Sequence, residues 1–415
     1  MKFVSTTFSI YAATAFAHSF LDAAFGIDEV ASQTNRLLQQ QNIMLNPLRK
    51  ESNDDEFFNI PADDYVKDID PNSPNAPHFA GIVTFAKLPQ TECFNIDPNN
   101  RPEFDVAILG APFDTATTYR PGARFGPSGI REGARRMGKY DSSSSIIPGF
   151  NPYDDWAKVV ECGDVPMTPF DNRIALNQLY RAHRQVHNHS VPAKETEPDV
   201  PYKSSAPRII TLGGDHTITF AALRSVSEVH GPVSVIHFDS HIDTWDPKAL
   251  GGNISSYSEL NHGTFLHFAH EKGYLNADGN AHVGIRAPFI RKKLDKEHDE
   301  HDCGFKTVMA RDVDLIGVRG VINKLKEIVG DNKVYITVDI DVLDPAYAPG
   351  TGTAEPGGFT TRELLTILDG LHGLNVVGAD VVEVSPAYDT NGQITVMAAA
   401  QVVDSLLGLM VLELN

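Results

Sequence analysis

Between residues 104 and 409, short apolar runs alternate with longer stretches whose apolar positions recur at helical spacing. The runs at 104–110, 156–160, 208–212, 233–238, 282–286, 307–309, 334–338 and 381–382 read as strands. They are too short and too uniformly apolar for surface helices, and many end at glycine, proline or charged residues. Helical spacing covers 171–187, 315–329, 361–371 and 394–409. Pro127, inside 122–131, suits the first turn of a helix, and Arg131, Arg135 and Arg136 read as its solvated face. Such alternation predicts an α/β fold, a parallel sheet covered by helices on both faces.

Three of the runs end in the same chemistry. The run at 233–238 closes in Asp239, His241 and Asp243, spaced two apart, and the run at 334–338 closes in Asp339 and Asp341. The run at 208–212 passes through Gly213-Gly214 to Asp215 and His216. Side chains alternate along an extended segment, so residues two apart share a face. Parallel strands deliver such residues into a crevice at their carboxyl ends. Aspartate and histidine are also common where any buried strand runs out into solvent, but a threefold repeat of the pattern argues against that reading. Asp239, Asp243, Asp339, Asp341, His216 and His241 exceed the needs of one cation and suit two sharing bridging carboxylates. Oxygen-rich ligation without thiolate favours Mn²⁺ over zinc. A water held between two such ions becomes acid enough to serve as a nucleophile near neutral pH.

Five segments occur in the order Gly-Gly-Asp-His (213–216), Phe-Asp-Ser-His-Ile-Asp (238–243), Asn-His-Gly-Thr-Phe (261–265), Thr-Val-Asp-Ile-Asp-Val-Leu-Asp-Pro (337–345) and Val-Val-Glu-Val-Ser-Pro (381–386). With them, the chain resembles the ureohydrolase family of arginases and agmatinases over roughly residues 100–412. The resemblance implies a three-layer α/β/α sandwich with a central parallel sheet, and hydrolysis of a guanidino group to urea with two manganese ions per subunit. It implies that Asp239 and Asp339 bridge the ions, that His216 and Asp243 bind one of them, and that His241 and Asp341 bind the other. His262 would then protonate the leaving amine, Glu383 would hold the planar guanidinium, and Asp243 would also take the proton of the attacking water. A homo-oligomer, trimer or hexamer, is the family's assembly.

The His-Gly-Thr-Phe wording resembles the agmatinase branch, and arginase's asparagine and serine pattern for an α-amino acid head is absent. The expected substrate is therefore 4-guanidinobutyrate or agmatine, with L-arginine as the alternative. Within the loop 244–261, Lys248 either meets a substrate carboxylate or points into solvent, and Asp246 and Glu259 are the loop's acids. A zinc deacetylase would keep an Asp-x-His but need one ion, and the presence of both His216 and Asp341 argues against it. A non-catalytic metal-binding homologue would have lost a ligand, and none is missing.

Charge and composition add limits. With 54 acidic against 35 basic residues, the net charge of −19 argues against nucleic acid or an anionic membrane surface as partner. Residues 1–17 carry Lys2, a moderately apolar stretch and an Ala15-Phe16-Ala17 end, so they are expected to be a signal peptide for the secretory pathway. A cytoplasmic or mitochondrial location is the alternative. Residues 18–100 read as a partly irregular extension, 101–415 as the catalytic domain and 190–207 as an exposed insertion. Asn188 and Asn253 head glycosylation triplets. Cys93, Cys162 and Cys303, odd in number and without CxxC spacing, are expected to be buried free thiols.

Overall fold

Eight apolar runs become the eight strands of one all-parallel sheet in the computed structural model, which describes residues 82–94, 101–139, 150–194, 204–251, 254–255 and 258–413. The strands are β1 (Val106–Ala111), β2 (Val159–Asp164), β3 (Arg208–Gly213), β4 (Ser234–Phe238), β5 (Asn280–Ile285), β6 (Phe305–Met309), β7 (Lys333–Asp339) and β8 (Asn375–Val382). Their order across the sheet is β2-β1-β3-β8-β7-β4-β5-β6. All residues of β1, β3, β4 and β5 are buried, which is why these segments read as continuous apolar runs rather than alternating ones.

Helices cover both faces, as the resemblance implied. On one face lie α1 (Gly126–Gly133), α6 (Asp312–Val329), α7 (Thr361–Gly370) and α8 (Ile394–Val411), packed over Ile108, Ile210, Ile236 and Ile336. On the other lie α2 (Asn172–His187), α3 (Ile218–His230) and α4 (Phe265–Glu271), over Leu109, Ile209, Val235 and Tyr335. The period of two along each strand divides these sets cleanly. Local signals start the helices: Asp171 caps α2 through the Arg173 and Ile174 amides, and Thr360 with Glu363 forms a capping box on α7. By length and composition α8 could cross a membrane, yet most of it is buried in the core of this domain. Helices α3, α4 and the short α5 (Lys292–Glu297) went unread in the sequence.

Three expectations are corrected. Arg131 is not on a solvated face: it is 7% exposed and reaches across to β2, where Nε and Nη2 grip both oxygens of Glu161 at 3.0 and 2.9 Å and Nη1 meets Asp164 at 2.7 Å. The fork of the guanidinium fits a carboxylate, so the pair ties α1 to the sheet's edge strand. Cys93 and Cys162 are not free thiols but a disulfide, with Cα atoms 5.4 Å apart. They lie 69 residues apart in sequence, and only the docking of the segment before β1 along β2, where Thr91 N–H donates to Glu161 O at 2.9 Å, brings them together. Cys303 is free and buried, as expected. The strand expected at 156–160 starts at Val159, because Trp156 instead donates its indole N–H to Val411 O at 2.7 Å. The proposed leader, residues 1–17, and Asn253 lie outside the described residues, as does most of the extension.

Replacing Arg131 by Leu strands Glu161, which is 2% exposed, without its partner. Urea denaturation is expected to show a loss of about 3–5 kcal/mol. A loss below about 1 kcal/mol, the range of exposed pairs, would contradict this reading.

Candidate metal centre and active site

Register sets the centre's geometry before any ligand arrives. Phe238 pairs with Val338, and Asp339 with Val382, so Asp239 and Asp339 stand side by side at the ends of β4 and β7, with Glu383 one step beyond on β8. The turn after β3 supplies His216 from the neighbouring strand. Gly214 is required in that turn, since a Cβ there would meet Ala111 O at 2.5 Å and Phe113 O at 2.6 Å. Asp243 and Glu383 adopt left-handed backbone, with φ of 52° and 60°. Strain of this kind in non-glycine residues clusters at functional sites.

The six expected donors converge. His216 Nδ1 lies 3.1 Å from Asp239 Oδ2, 3.1 Å from Asp243 Oδ2 and 3.6 Å from Asp339 Oδ2. His241 Nδ1 lies 3.3 Å from Asp239 Oδ1 and 3.1 Å from Asp341 Oδ2. Asp239 thus turns one oxygen to each imidazole, which is the geometry of a bridge. Three atoms in this knot, His216 Nδ1, His237 Nε2 and Asp239 Oδ2, are buried without any hydrogen bond. Orphaned donors and acceptors in a dry interior are costly, and a cation among them would satisfy them together. Electrostatics point the same way. Burial, with the charges of Asp341 and Asp239, pushes Asp339 well above the usual carboxylate range, and burial with Asp239 pushes Asp243 up to about 6. Carboxylates this close resist joint ionisation unless positive charge sits between them. The donor set therefore fits hard divalent ions.

The surroundings orient the donors. His216 Nε2–H donates to Thr337 Oγ at 2.7 Å, and Thr337 donates in turn to Asp380, leaving Nδ1 as a lone pair facing the carboxylates. Ser240 N–H and Oγ–H hold Asp341 Oδ1 at 3.0 and 2.8 Å.

Sequence reasoning missed His237. Fully buried on β4, it brings Nε2 to 3.0 Å from Asp239 Oδ2. Its Nδ1 lies 2.8 Å from His282 Nδ1, and His282 Nε2 lies 2.8 Å from Asp299 Oδ1, which also accepts from Thr244 Oγ at 2.7 Å. The signal was present: His237 is two residues before Asp239 and so shares its face.

His262 is 8% exposed and joins this centre from the loop before α4. Its Nδ1 is 3.0 Å from Glu383 Oε1, and its Nε2 accepts the Thr118 amide at 2.9 Å. Thr118 Oγ also lies 2.7 Å from Nε2. Burial opposes a charge there, but the Glu383 hydrogen bond and the charges of Glu383, Asp243 and Asp215 outweigh it and raise the imidazole to about 9. A proton arriving on His262 would thus be well held. Glu383 Oε1 also accepts the His216 amide at 2.9 Å, so both contacts fall on Oε1 and Oε2 carries neither.

A cavity of about 130 Å³ opens over the donors, lined by His241, Asp243, Asp339 and His262 together with Thr118, Trp245, Leu250, Ile290 and Thr353. Glu383 is not among its lining residues. Lys248 is exposed and outside the lining, with its amide on Asp246 at 2.9 Å, which matches the solvent-facing alternative. Asp246 is engaged by Arg291 at 3.4 Å. Trp245, 8% exposed, has an indole Nε1–H with no partner.

Comparisons agree with this geometry. The family described as "Arginase family" matches residues 104–408. "Putative agmatinase 1" of Schizosaccharomyces pombe is 49% identical over 335 residues, 80% of this chain and 83% of that protein. The human "Guanidino acid hydrolase, mitochondrial" is 35% identical over 340 residues, 80% of this chain and 86% of its own length. Among solved structures, proclavaminate amidino hydrolase from Streptomyces clavuligerus superposes with a TM-score of 0.66 at 34% identity, covering 81% of this chain and 99% of that one. The chain belongs to the arginase family of ureohydrolases.

Thr337→Val removes the hydroxyl that orients His216. Loss of such a contact behind a ligand is expected to weaken divalent-metal binding by about 10- to 100-fold. A metal titration showing unchanged affinity would contradict the orienting role.

Proposed function

We propose that the protein is a binuclear manganese hydrolase that splits a linear guanidino compound to urea and an amine, with a guanidino acid such as 4-guanidinobutyrate preferred over agmatine. The observation that carries this reading is the set of orphaned donor atoms around Asp239, set beneath a cavity that His262 lines. His216, Asp239, Asp243 and Asp339 would hold one ion, and His241, Asp239, Asp339 and Asp341 the other. Bound there, the ions supply a water acid enough to attack near neutral pH. Asp243 would accept a proton at its carboxylate, Glu383 would hold the guanidinium through Oε2, the oxygen that carries neither the His216 nor the His262 contact, and His262 would pass a proton to the leaving nitrogen as the carbon–nitrogen bond breaks.

Preference for an acid rests on the far end of the cavity. A terminal ammonium would need an acid there; among the described residues the lining holds none beyond the metal donors, and the nearby acid, Glu355, lies 3.9 Å from His241. The human relative's name supports the same class, whereas the fission-yeast relative's name supports agmatine. A homo-oligomer, trimer or hexamer, belongs to the proposal, as does secretory targeting, which the Cys93–Cys162 disulfide favours because such bonds persist in oxidising compartments. Mitochondrial relatives favour the alternative.

Urea release with Mn²⁺ is expected to rank 4-guanidinobutyrate above agmatine and agmatine above L-arginine; arginine ranking first would sink the proposal. His262→Asn should lower kcat by about 10²–10⁴ with KM little changed, and an unaltered kcat would remove the proton-transfer role.

A further inference from the structure

Outside the donor cluster, two histidines and the chain's one free cysteine meet. His267 lies on α4, His298 opens the π-helical turn His298–Asp302, and Cys303 follows it. His298 Nε2 is 2.9 Å from His267 Nδ1 and 3.6 Å from Cys303 Sγ, and the three donor atoms all lie within 4.8 Å of one another. We propose that His267, His298 and Cys303 form a separate binding site for a zinc-class divalent ion, with a fourth position open to water.

The outer partners carry the argument furthest. An imidazole that ligates a metal through one nitrogen usually holds the other on a carboxylate or carbonyl, which fixes the ring and raises its basicity. His298 does so, and His267 turns its outer nitrogen toward a carboxylate at longer range. His298 Nδ1 lies 2.9 Å from Asp302 Oδ2, and His267 Nε2 lies 3.5 Å from Glu271 Oε1, so Nε2 of the first and Nδ1 of the second are left to face the sulfur. Distances fit as well. Tetrahedral zinc with bonds of about 2.3 Å to sulfur and 2.0–2.1 Å to nitrogen sets sulfur and nitrogen roughly 3.6 Å apart and two nitrogens roughly 3.3 Å apart. The Sγ–Nε2 distance already matches, and the imidazoles need only part by a few tenths of an ångström.

Ligand type selects the ion. Thiolate and imidazole suit zinc rather than manganese, so the two sites divide their metals by chemistry. On binding, the Cys303 thiol releases its proton to solvent and the sulfur becomes the ligand. The dication meets one thiolate and the Glu271 and Asp302 carboxylates, three negative charges against two positive, with both carboxylates largely in solvent. The histidine side chains remain 12% and 20% exposed, which leaves an entry path, while Cys303 is fully buried. The bland alternative is a hydrogen-bonded histidine pair beside an inert thiol.

Cobalt(II) separates the two. Cys93 and Cys162 are joined and the binuclear centre offers no sulfur, so a near-ultraviolet thiolate-to-cobalt charge-transfer band can arise only at Cys303. Full-length protein, loaded first with Mn²⁺ and then titrated with Co²⁺, is expected to develop that band with one equivalent. Cys303→Ser and His298→Gln should each abolish it, Asp302→Asn should weaken Co²⁺ binding by about 10- to 100-fold, and Zn²⁺ should bleach the band. No band in wild-type protein, or an undiminished band in His298→Gln, would overturn the proposal. The readout does not depend on urea release, so it stands or falls apart from the catalytic assignment.

Discussion

Repulsion among buried carboxylates at one level of a parallel sheet is the constraint on which the rest of this molecule depends. Asp239 and Asp339 are neighbours by register, Asp243 and Asp341 follow two residues later, and all four are buried. Left alone, the group is unfavourable, as the upward pull on Asp339 and Asp243 records. Two dications would convert the same crowding into affinity, since four positive charges would meet four carboxylates while the imidazoles add directed lone pairs. The sheet holds the donors in place and prevents relaxation, at the expense of left-handed backbone at Asp243 and Glu383.

What surrounds the donors follows from the same constraint. Thr337 and Asp380 hold the tautomer of His216, and Ser240 holds Asp341. Behind Asp239 runs a line of polar groups, His237, His282 and Asp299, through strands that are otherwise apolar. Asp299 sits in the same π-helical turn as His298. An ion held by His298 and Cys303 would brace the turn that anchors this line, joining the two sites through one short element. In front, Glu383 meets both His262 and the His216 amide, so one carboxylate positions the imidazole of His262 and the backbone of His216.

Much of this was legible from the chain. Runs such as 208–212 and 334–338 are apolar because both their faces are covered, and the carboxylates end them because strand ends open into the crevice. His262 and Glu383 could be singled out only through their motifs, since nothing in local spacing says that residues 121 apart will meet. Where only tertiary contact decides, the reading failed. Arg131 looked like a surface charge because its partner Glu161 lies on an edge strand 30 residues away, and parity alone could not pair Cys93 with Cys162. His237 was overlooked although the period of two placed it beside Asp239.

The central claim is that this strand-end cluster hydrolyses a guanidino group only with two cations in place. Chelated, metal-free protein titrated with Mn²⁺ while urea release from 4-guanidinobutyrate is followed tests it most directly. The account predicts no urea without metal and activity that saturates at two equivalents per chain. Full urea release from metal-free protein, or saturation at one equivalent, would contradict it.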